Sequence, residues 1–145
     1  MAVPKRALDA PIRPEDRSRP EVRKRMSGPA MKAFFNVTDK IWKLEPKAQQ
    51  ALLGFPGTST FYNYRNGTHG TLSFDVLTRI SLVLGILKAL RILYPDRALA
   101  DRWIGMPNSN SLFGGKTPAE FLTVGDLDSL YRVRRLLDAR RGGWS

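Results

Sequence analysis

Apolar residues recur at intervals of three and four positions from Ala30 onward, which is the period of a helix with one buried face. The first run predicts a helix whose apolar positions are Met31, Phe34, Phe35, Ile41 and Trp42. No stretch alternates apolar and polar residues strictly, as a half-buried strand would. The pattern predicts an all-α protein.

Two short helices follow. The first is predicted at residues 45–53, with Pro46 in its first turn and Gly54 just after its end. Phe55-Pro56-Gly57 is a turn signal, and the second helix is predicted at residues 58–66 with a stop at Gly67. Two short helices joined by a glycine-containing turn are typical of a helix-turn-helix.

A long helix, predicted at residues 74–93 with Ser73 as its cap, is apolar on nearly every side. Helices of this kind are buried, either in a core or in an interface between chains. Because a chain of 145 residues is too small to cover this helix on every side, the pattern predicts a homodimer or a higher assembly with a partner protein.

The C-terminal third contains a helix at residues 96–104, a loop rich in Gly, Asn, Ser and Pro, and two further helices. Thr117-Pro118-Ala119-Glu120 is a capping box with proline at the first helical position. The last helix follows Asp126 and places its leucines and Val133 on one side, with arginines on the rest. Gly142-Gly143 ends it before Trp144-Ser145.

Residues 1–29 contain five prolines, eight basic and four acidic residues, and few apolar ones. Such a composition cannot bury enough surface to order the chain, so a flexible arm is predicted. The expected organisation is this arm, an N-terminal helical module at residues 30–93 and a C-terminal module at residues 94–145.

The net charge of +11 favours polyanions as partners, although many basic proteins bind none. The absence of cysteine excludes disulfides and thiolate metal sites. The longest apolar stretch is too short and too charged to span a membrane, and the N-terminus lacks a signal-peptide core. The expected location is the cytoplasm.

No catalytic constellation is evident. His69 is the only histidine and has no acidic cluster near it in sequence, so neither a metal site nor a histidine relay is predicted. Gly114-Gly115-Lys116-Thr117 matches the end of a phosphate-binding loop, but Asn110 occupies the place of the leading glycine and no strand precedes it. We therefore predict no enzyme activity, no cofactor and no metal.

The second helix of the predicted helix-turn-helix carries hydroxyl and amide groups that suit contacts to base edges and phosphates. Phe61 and Tyr64 are expected to anchor it to the core. The candidate DNA-binding residues are Ser59, Thr60, Tyr62, Asn63, Arg65 and Asn66. Because the helix has no cluster of Lys and Arg, a hairpin used only for packing is the alternative.

Two stretches carry a resemblance to a known family. They are STFYNYRNG at Ser59–Gly67, and ADRWI at Ala100–Ile104 followed by Pro107-Asn108 and FGGKTPAEFL at Phe113–Leu122. The first resembles the recognition helix, and the second the C-terminal toxin-binding domain, of the Xre/MbcA/ParS-type antitoxins that pair with RES-domain toxins. The ending from Val133 to Ser145 is also similar to that domain, so the resemblance covers roughly residues 30–145.

The resemblance implies an antitoxin whose partner is a RES toxin, an enzyme that transfers ADP-ribose from NAD or breaks NAD down. It also implies that the terminal helix and tail cover the toxin's NAD cleft. The residues that match the toxin-binding motif, or lie where the helix and tail approach the toxin, are Trp103, Pro107, Asn108, Gly114, Gly115, Lys116, Pro118, Arg134, Arg135, Arg140, Arg141 and Trp144. The main alternative is a stand-alone repressor that binds operator DNA without any toxin.

Overall fold

The computed structural model describes residues 13–142, and this part of the chain contains helices and irregular segments but no strand. The all-α prediction is confirmed. The α-helices are α1 (Pro14–Ser18), α2 (Pro20–Phe35), α3 (Pro46–Leu52), α4 (Thr58–Asn66), α5 (Phe74–Leu93), α6 (Arg97–Arg102), α7 (Pro118–Leu122) and α8 (Leu127–Gly142). A π-helical segment, Asn36–Ile41, continues α2, and 3₁₀ turns lie at Trp103–Gly105 and Ser111–Phe113.

The prediction of a flexible arm is wrong for the part of it that the structure describes. Residues 14–18 form α1, and α2 begins at Pro20 rather than near Ala30. Val22 and Met26 are buried in the same apolar cluster as α5 and extend the apolar stripe of α2 towards its N-terminus. Prolines suggested disorder, yet Pro14 and Pro20 occupy first helical positions, where the missing N–H has no intrahelical partner to lose. Residues 1–12 lie outside the described residues.

Helix α5 is the centre of the core. It packs against α8, α2, α6 and α1, and thirteen of its residues are buried within this one chain. Its N-terminus is capped by Ser73, whose side chain accepts a hydrogen bond from the backbone N–H of Val76. Since its own chain covers α5, the apolar character of this helix does not require a second copy. The argument from which a homodimer was predicted is therefore wrong.

Helix α8 joins the two sequence modules. Its buried residues Leu130, Val133 and Leu137 belong to the same apolar cluster as α5, against which α8 packs. The N-terminal helix-turn-helix and the small C-terminal module are present in the predicted order, but they share one core. Within the described residues, no helix is long and apolar enough to cross a membrane.

Candidate functional site

Helices α3 and α4 form the predicted helix-turn-helix. The turn between them spans residues 53–57, and Phe55 within it has a positive φ of 59°. Helix α4 covers the nine residues predicted for it and ends at Gly67, whose φ of 78° lies in the left-handed region that favours glycine. Phe61 is buried completely and its ring packs edge-on against Phe35 of α2. This contact fixes which side of α4 faces outward.

Five of the six candidate DNA-binding residues lie on the outward side of α4. Ser59, Thr60, Tyr62, Asn63 and Asn66 are all exposed. Tyr62 is 45% exposed although its ring packs in a T-shaped arrangement with that of Phe61. The side-chain oxygen of Asn63 accepts a hydrogen bond from Thr68. Hydroxyl and amide groups on one accessible helix face are the chemistry that reads base edges in a major groove.

Arg65, the sixth candidate, faces inward. Its guanidinium donates to both carboxylate oxygens of Asp39, at 2.8 and 3.2 Å, and to the side-chain oxygen of Gln49 at 2.6 Å. It also lies 4.7 Å from the centre of the Phe35 ring, within the range of a cation–π contact. The structure therefore places Arg65 as the residue that ties α4 to α2 and α3, and not on the outward face with the other five.

The carboxylate of Asp39 is the centre of this network. Burial alone raises its pKa, but hydrogen bonds from Arg65 and Gln49 and the charges of Arg65 and Lys40 lower the pKa by more, so the net shift is downward. Gln49 is fully buried and donates to both Thr38 and Asp39. Helix α3 and the π-helical segment thus hold α4 through charge-assisted hydrogen bonds.

A basic groove lies beside α4 and was not predicted from the sequence. It has a volume of about 1100 Å³ and runs between α2, the C-terminal end of α4 and the C-terminal half of α5. Four exposed cations line it, namely Lys32, Lys40, Lys88 and Arg97. They come from four separate elements, so no cluster is visible in the sequence, and only the fold brings these positive charges together next to the candidate DNA-binding face.

The candidate toxin-binding residues divide into exposed and buried ones. Pro107, Gly114, Gly115 and Lys116 are exposed on the loop before α7. Gly114 and Gly115 have φ values of 55° and 86°, which give the loop its tight turn. Asn108 is half-buried and its side-chain oxygen accepts from the backbone N–H of Asn110. These residues form an accessible and internally braced loop.

Trp103 and Pro118, two further candidates, are buried, unlike the exposed residues of the loop. Trp103 is buried and packs edge-on against Phe113, with ring centres 5.9 Å apart. Pro118 is buried at the first position of α7. The predicted capping box is present, since Thr117 accepts from the N–H of Glu120 at 3.1 Å and Glu120 accepts from the N–H of Thr117 at 2.9 Å. Buried motif residues such as these support the loop from inside the C-terminal module.

The arginines of α8 also differ from one another. Arg134 is half-buried and bonds both oxygens of Asp138 on the same helix. Arg135, Arg140 and Arg141 are exposed, and Arg141 lies 3.7 Å from Asp138. Trp144 lies outside the described residues. Within residues 13–142, no group of His, Asp and Glu side chains is arranged to hold a metal ion.

Two family comparisons match the two halves of the fold. Residues 20–85 match the antitoxin Xre-like helix-turn-helix domain, and residues 89–143 match the antitoxin Xre/MbcA/ParS C-terminal toxin-binding domain. The chain is also 42% identical over 113 residues to the uncharacterized protein y4oB of Sinorhizobium fredii (strain NBRC 101917 / NGR234), an overlap of 78% of this chain and 84% of the relative. No solved structure matches the chain significantly. These families are typically non-enzymatic, and their two domains imply DNA and a toxin as partners. The chain therefore belongs to the Xre/MbcA/ParS antitoxins, with an Xre-like helix-turn-helix followed by a toxin-binding domain.

Proposed function

We propose that this antitoxin neutralises a RES-domain toxin by covering the toxin's NAD cleft with the end of α8 and the residues that follow it. The observation that carries the proposal is the end of α8, which extends beyond Leu137, the last buried residue within residues 13–142. Residues 139–142 are exposed and include Arg140 and Arg141. A helix end that makes no core contact is free to enter a cleft without unfolding the chain.

The exposed loop with Gly114, Gly115 and Lys116 supplies the second contact with the toxin in this proposal. Its main chain turns sharply at two glycines, so a partner can approach the backbone closely. The two contacts have different roles. The loop gives attachment, and the end of α8 gives inhibition, where its arginines affect mainly the rate and specificity of association.

Deleting residues 140–145 separates these roles. The truncated chain is expected to fold and to bind the toxin through the loop, yet to let NAD breakdown resume because the cleft is no longer filled. Co-expression of toxin with full-length or truncated antitoxin, measured as cell growth and NAD level, tests this. Arg132→Ala is the matched control because Arg132 is an exposed arginine of α8 outside the proposed contact. Full protection by the truncated chain would place inhibition in the loop instead.

The identity of the toxin is tested separately. Co-purification from cells that express the neighbouring reading frame is expected to recover a RES-domain protein in a stable complex with this chain. A stand-alone repressor, the alternative function, would recover none. The match of residues 89–143 to a toxin-binding domain favours the antitoxin over the repressor.

We further propose that α4 binds the operator of the antitoxin's own operon. The outward face of α4 supplies base-reading groups, and the basic groove beside it supplies charges for phosphates.

Tyr62→Ala and Asn63→Ala are each expected to weaken promoter binding by about 1–3 kcal/mol. Lys40→Ala is expected to lower the salt slope by about one and to weaken all sequences equally. Ser109→Ala, an exposed change in the C-terminal module, is the control. If the chain does not bind its promoter even at low salt, α3 and α4 have only a structural role in packing the core.

Homodimerisation stays a prediction. The two-fold symmetry of most helix-turn-helix operators supports it, whereas the buried α5 does not. Light scattering of the free chain and of its promoter complex will distinguish one copy from two.

A further inference from the structure

Arg79 of α5 connects the helix-turn-helix to the C-terminal domain. It is a buried charged residue, with only 9% of its surface exposed. One terminal nitrogen donates to the backbone oxygen of Gly125, at 3.0 Å, and of Leu52, at 3.4 Å, while its Nε donates to Asp75 at 3.1 Å. Leu52 is the last residue of α3, and Gly125 lies in the loop before α8. One guanidinium therefore joins the two domains at their backbones.

Phe55 makes a second connection at the same place. This residue of the helix-turn-helix turn has a φ of 59°, and its ring lies against Gly125 although 60% of the residue's surface is exposed. A Cβ atom added to Gly125 would lie 2.1 Å from Cε2 of Phe55, which is closer than real Cβ contacts allow. The φ of Gly125 is 106°, a conformation that L side chains rarely adopt. The glycine is what lets the ring approach.

We propose that the loop before α8 is part of the operator-reading machinery, because Arg79 and Phe55 use it to set the position of the turn and hence of the start of α4. Helix α4 begins at Thr58, three residues after Phe55. Its C-terminal part is fixed by Arg65, whereas no comparable polar contact holds its first turn among the described residues. The exposed Ser59 and Thr60 lie in that first turn. The positions of these two side chains depend on the turn, and groups that bind a ligand must be held within about 0.5 Å of their productive positions.

The inference rests on the proposed operator binding, so its test has a readout that needs no DNA. Amide hydrogen exchange reports how firmly the turn is held, through bonds such as Phe55 N–H to Gln50 oxygen at 2.8 Å and Phe61 N–H to Gly57 oxygen at 2.9 Å. Gly125→Ala in the full chain is expected to speed exchange at residues 53–61 by about tenfold, with α5 and α8 unchanged. Arg79→Lys, which keeps the charge but loses the fork that serves several acceptors, is expected to act in the same direction.

Gly115→Ala is the matched control. Gly115 also has a positive φ, but nothing lies within 4 Å of an added Cβ, so this variant carries backbone strain without the Phe55 contact. It is expected to leave exchange at residues 53–61 unchanged. Phe55→Ala completes a double-mutant cycle, in which the effects of Phe55→Ala and Gly125→Ala are expected to be clearly less than additive.

Operator affinity then decides whether the position of the turn matters for DNA. Gly125→Ala is expected to weaken promoter binding by about tenfold, in parallel with the change in exchange. Unchanged exchange at residues 53–61, an equal rise in α5 and α8, or additive effects in the cycle would overturn the inference. So would faster exchange with unaltered promoter affinity. If the wild-type chain binds no promoter, the proposed operator function fails, and with it the role of the turn in reading DNA, whereas the exchange data still decide whether the loop positions the turn.

Discussion

At the scale of single residues, periodicity predicted which side chains of α4 face outward but not what each one contacts. Phe61 was expected to anchor the helix, and it is buried against Phe35. Arg65 was counted among the candidate DNA-binding residues, although the helical period puts it on the same side of α4 as Phe61 and Tyr64. Its partner Asp39 lies 26 residues earlier, and no pattern within one helix can reveal a bond over that separation.

The contacts of Trp103 in the toxin-binding domain were likewise not evident from the sequence. A motif names the residues of a candidate site, but it does not show which of them are exposed and which are buried. Trp103 packs on Phe113 in the core, whereas Lys116 of the same motif is exposed. Burial, which depends on the whole fold, makes that distinction.

The Asp39 network gives a prediction about pH. The folded-state pKa of Asp39 lies below its unfolded value, so its contribution is fully present above about pH 4 and is lost as the pH falls through the folded pKa. Asp39→Asn is expected to lower the free energy of unfolding at pH 7 by roughly 1 kcal/mol, a figure discounted because the side chain is 35% exposed. It should also flatten the loss of stability on acidification. Urea unfolding from pH 7 to pH 3 measures both.

Asp128→Asn is the control for that experiment. Asp128 pairs with Arg132 at 2.8 Å, but both side chains are more than half exposed. The variant is expected to stay within about 0.5 kcal/mol of wild type at pH 7. Parallel pH curves for wild type and Asp39→Asn would contradict the assigned role of the network.

At the scale of elements, start and stop signals located α4 and α5 at the residues where the structure has them. Both helices have local signals, a cap or turn before and a glycine or proline after, and these act over a few residues. The start of α2 was missed because its prolines and charges resemble those of a disordered segment. What orders it is the burial of Val22 and Met26 in the core beside α5, which is a tertiary effect.

The capping box of α7 gives the element-scale prediction. Hydrogen bonds from Thr117 lower the pKa of Glu120, and the two residues satisfy each other's backbone N–H groups. Thr117→Ala is expected to lower the free energy of unfolding by about 1 kcal/mol, because the N–H of Glu120 loses its acceptor. Urea titration measures this. Thr71→Ala, at an exposed position outside any helix, is expected to change it by less than about 0.5 kcal/mol, and equal losses in the two variants would refute the cap.

At the scale of the whole molecule, the order of the two modules was predicted but their union was not. The sequence left open one compact unit or two very small helical modules, with a boundary after Leu93. In the structure α8 packs against α5 as well as α7, and its buried residues belong to the same apolar cluster as those of α5. The spacing of apolar residues shows that a helix has a buried face, but not which other helix packs against that face.

Because the core is shared, we expect the chain to unfold in a single transition. NMR amide signals of α4 and α8 should disappear at the same urea concentration. Leu130→Ala removes a fully buried side chain from α8 and is expected to cost about 2–5 kcal/mol, shifting both midpoints together. Arg132→Ala, exposed on the same helix, should shift neither. A variant in which α8 melts while α4 persists would show two independent units.

The position of α5 between the two modules also has a consequence for recombination. One side of this helix belongs to the DNA-binding half, and α8 of the toxin-binding half packs against it. Consider a crossover that joins residues up to 93 of one antitoxin to the residues from 94 onward of another. In the hybrid, α5 of the first protein would have to pack against α8 of the second. Such a hybrid is expected to fold stably only if the α5 residues that face α8 are exchanged along with the C-terminal residues. Exchanging one domain therefore requires rewriting part of the helix that supports the other.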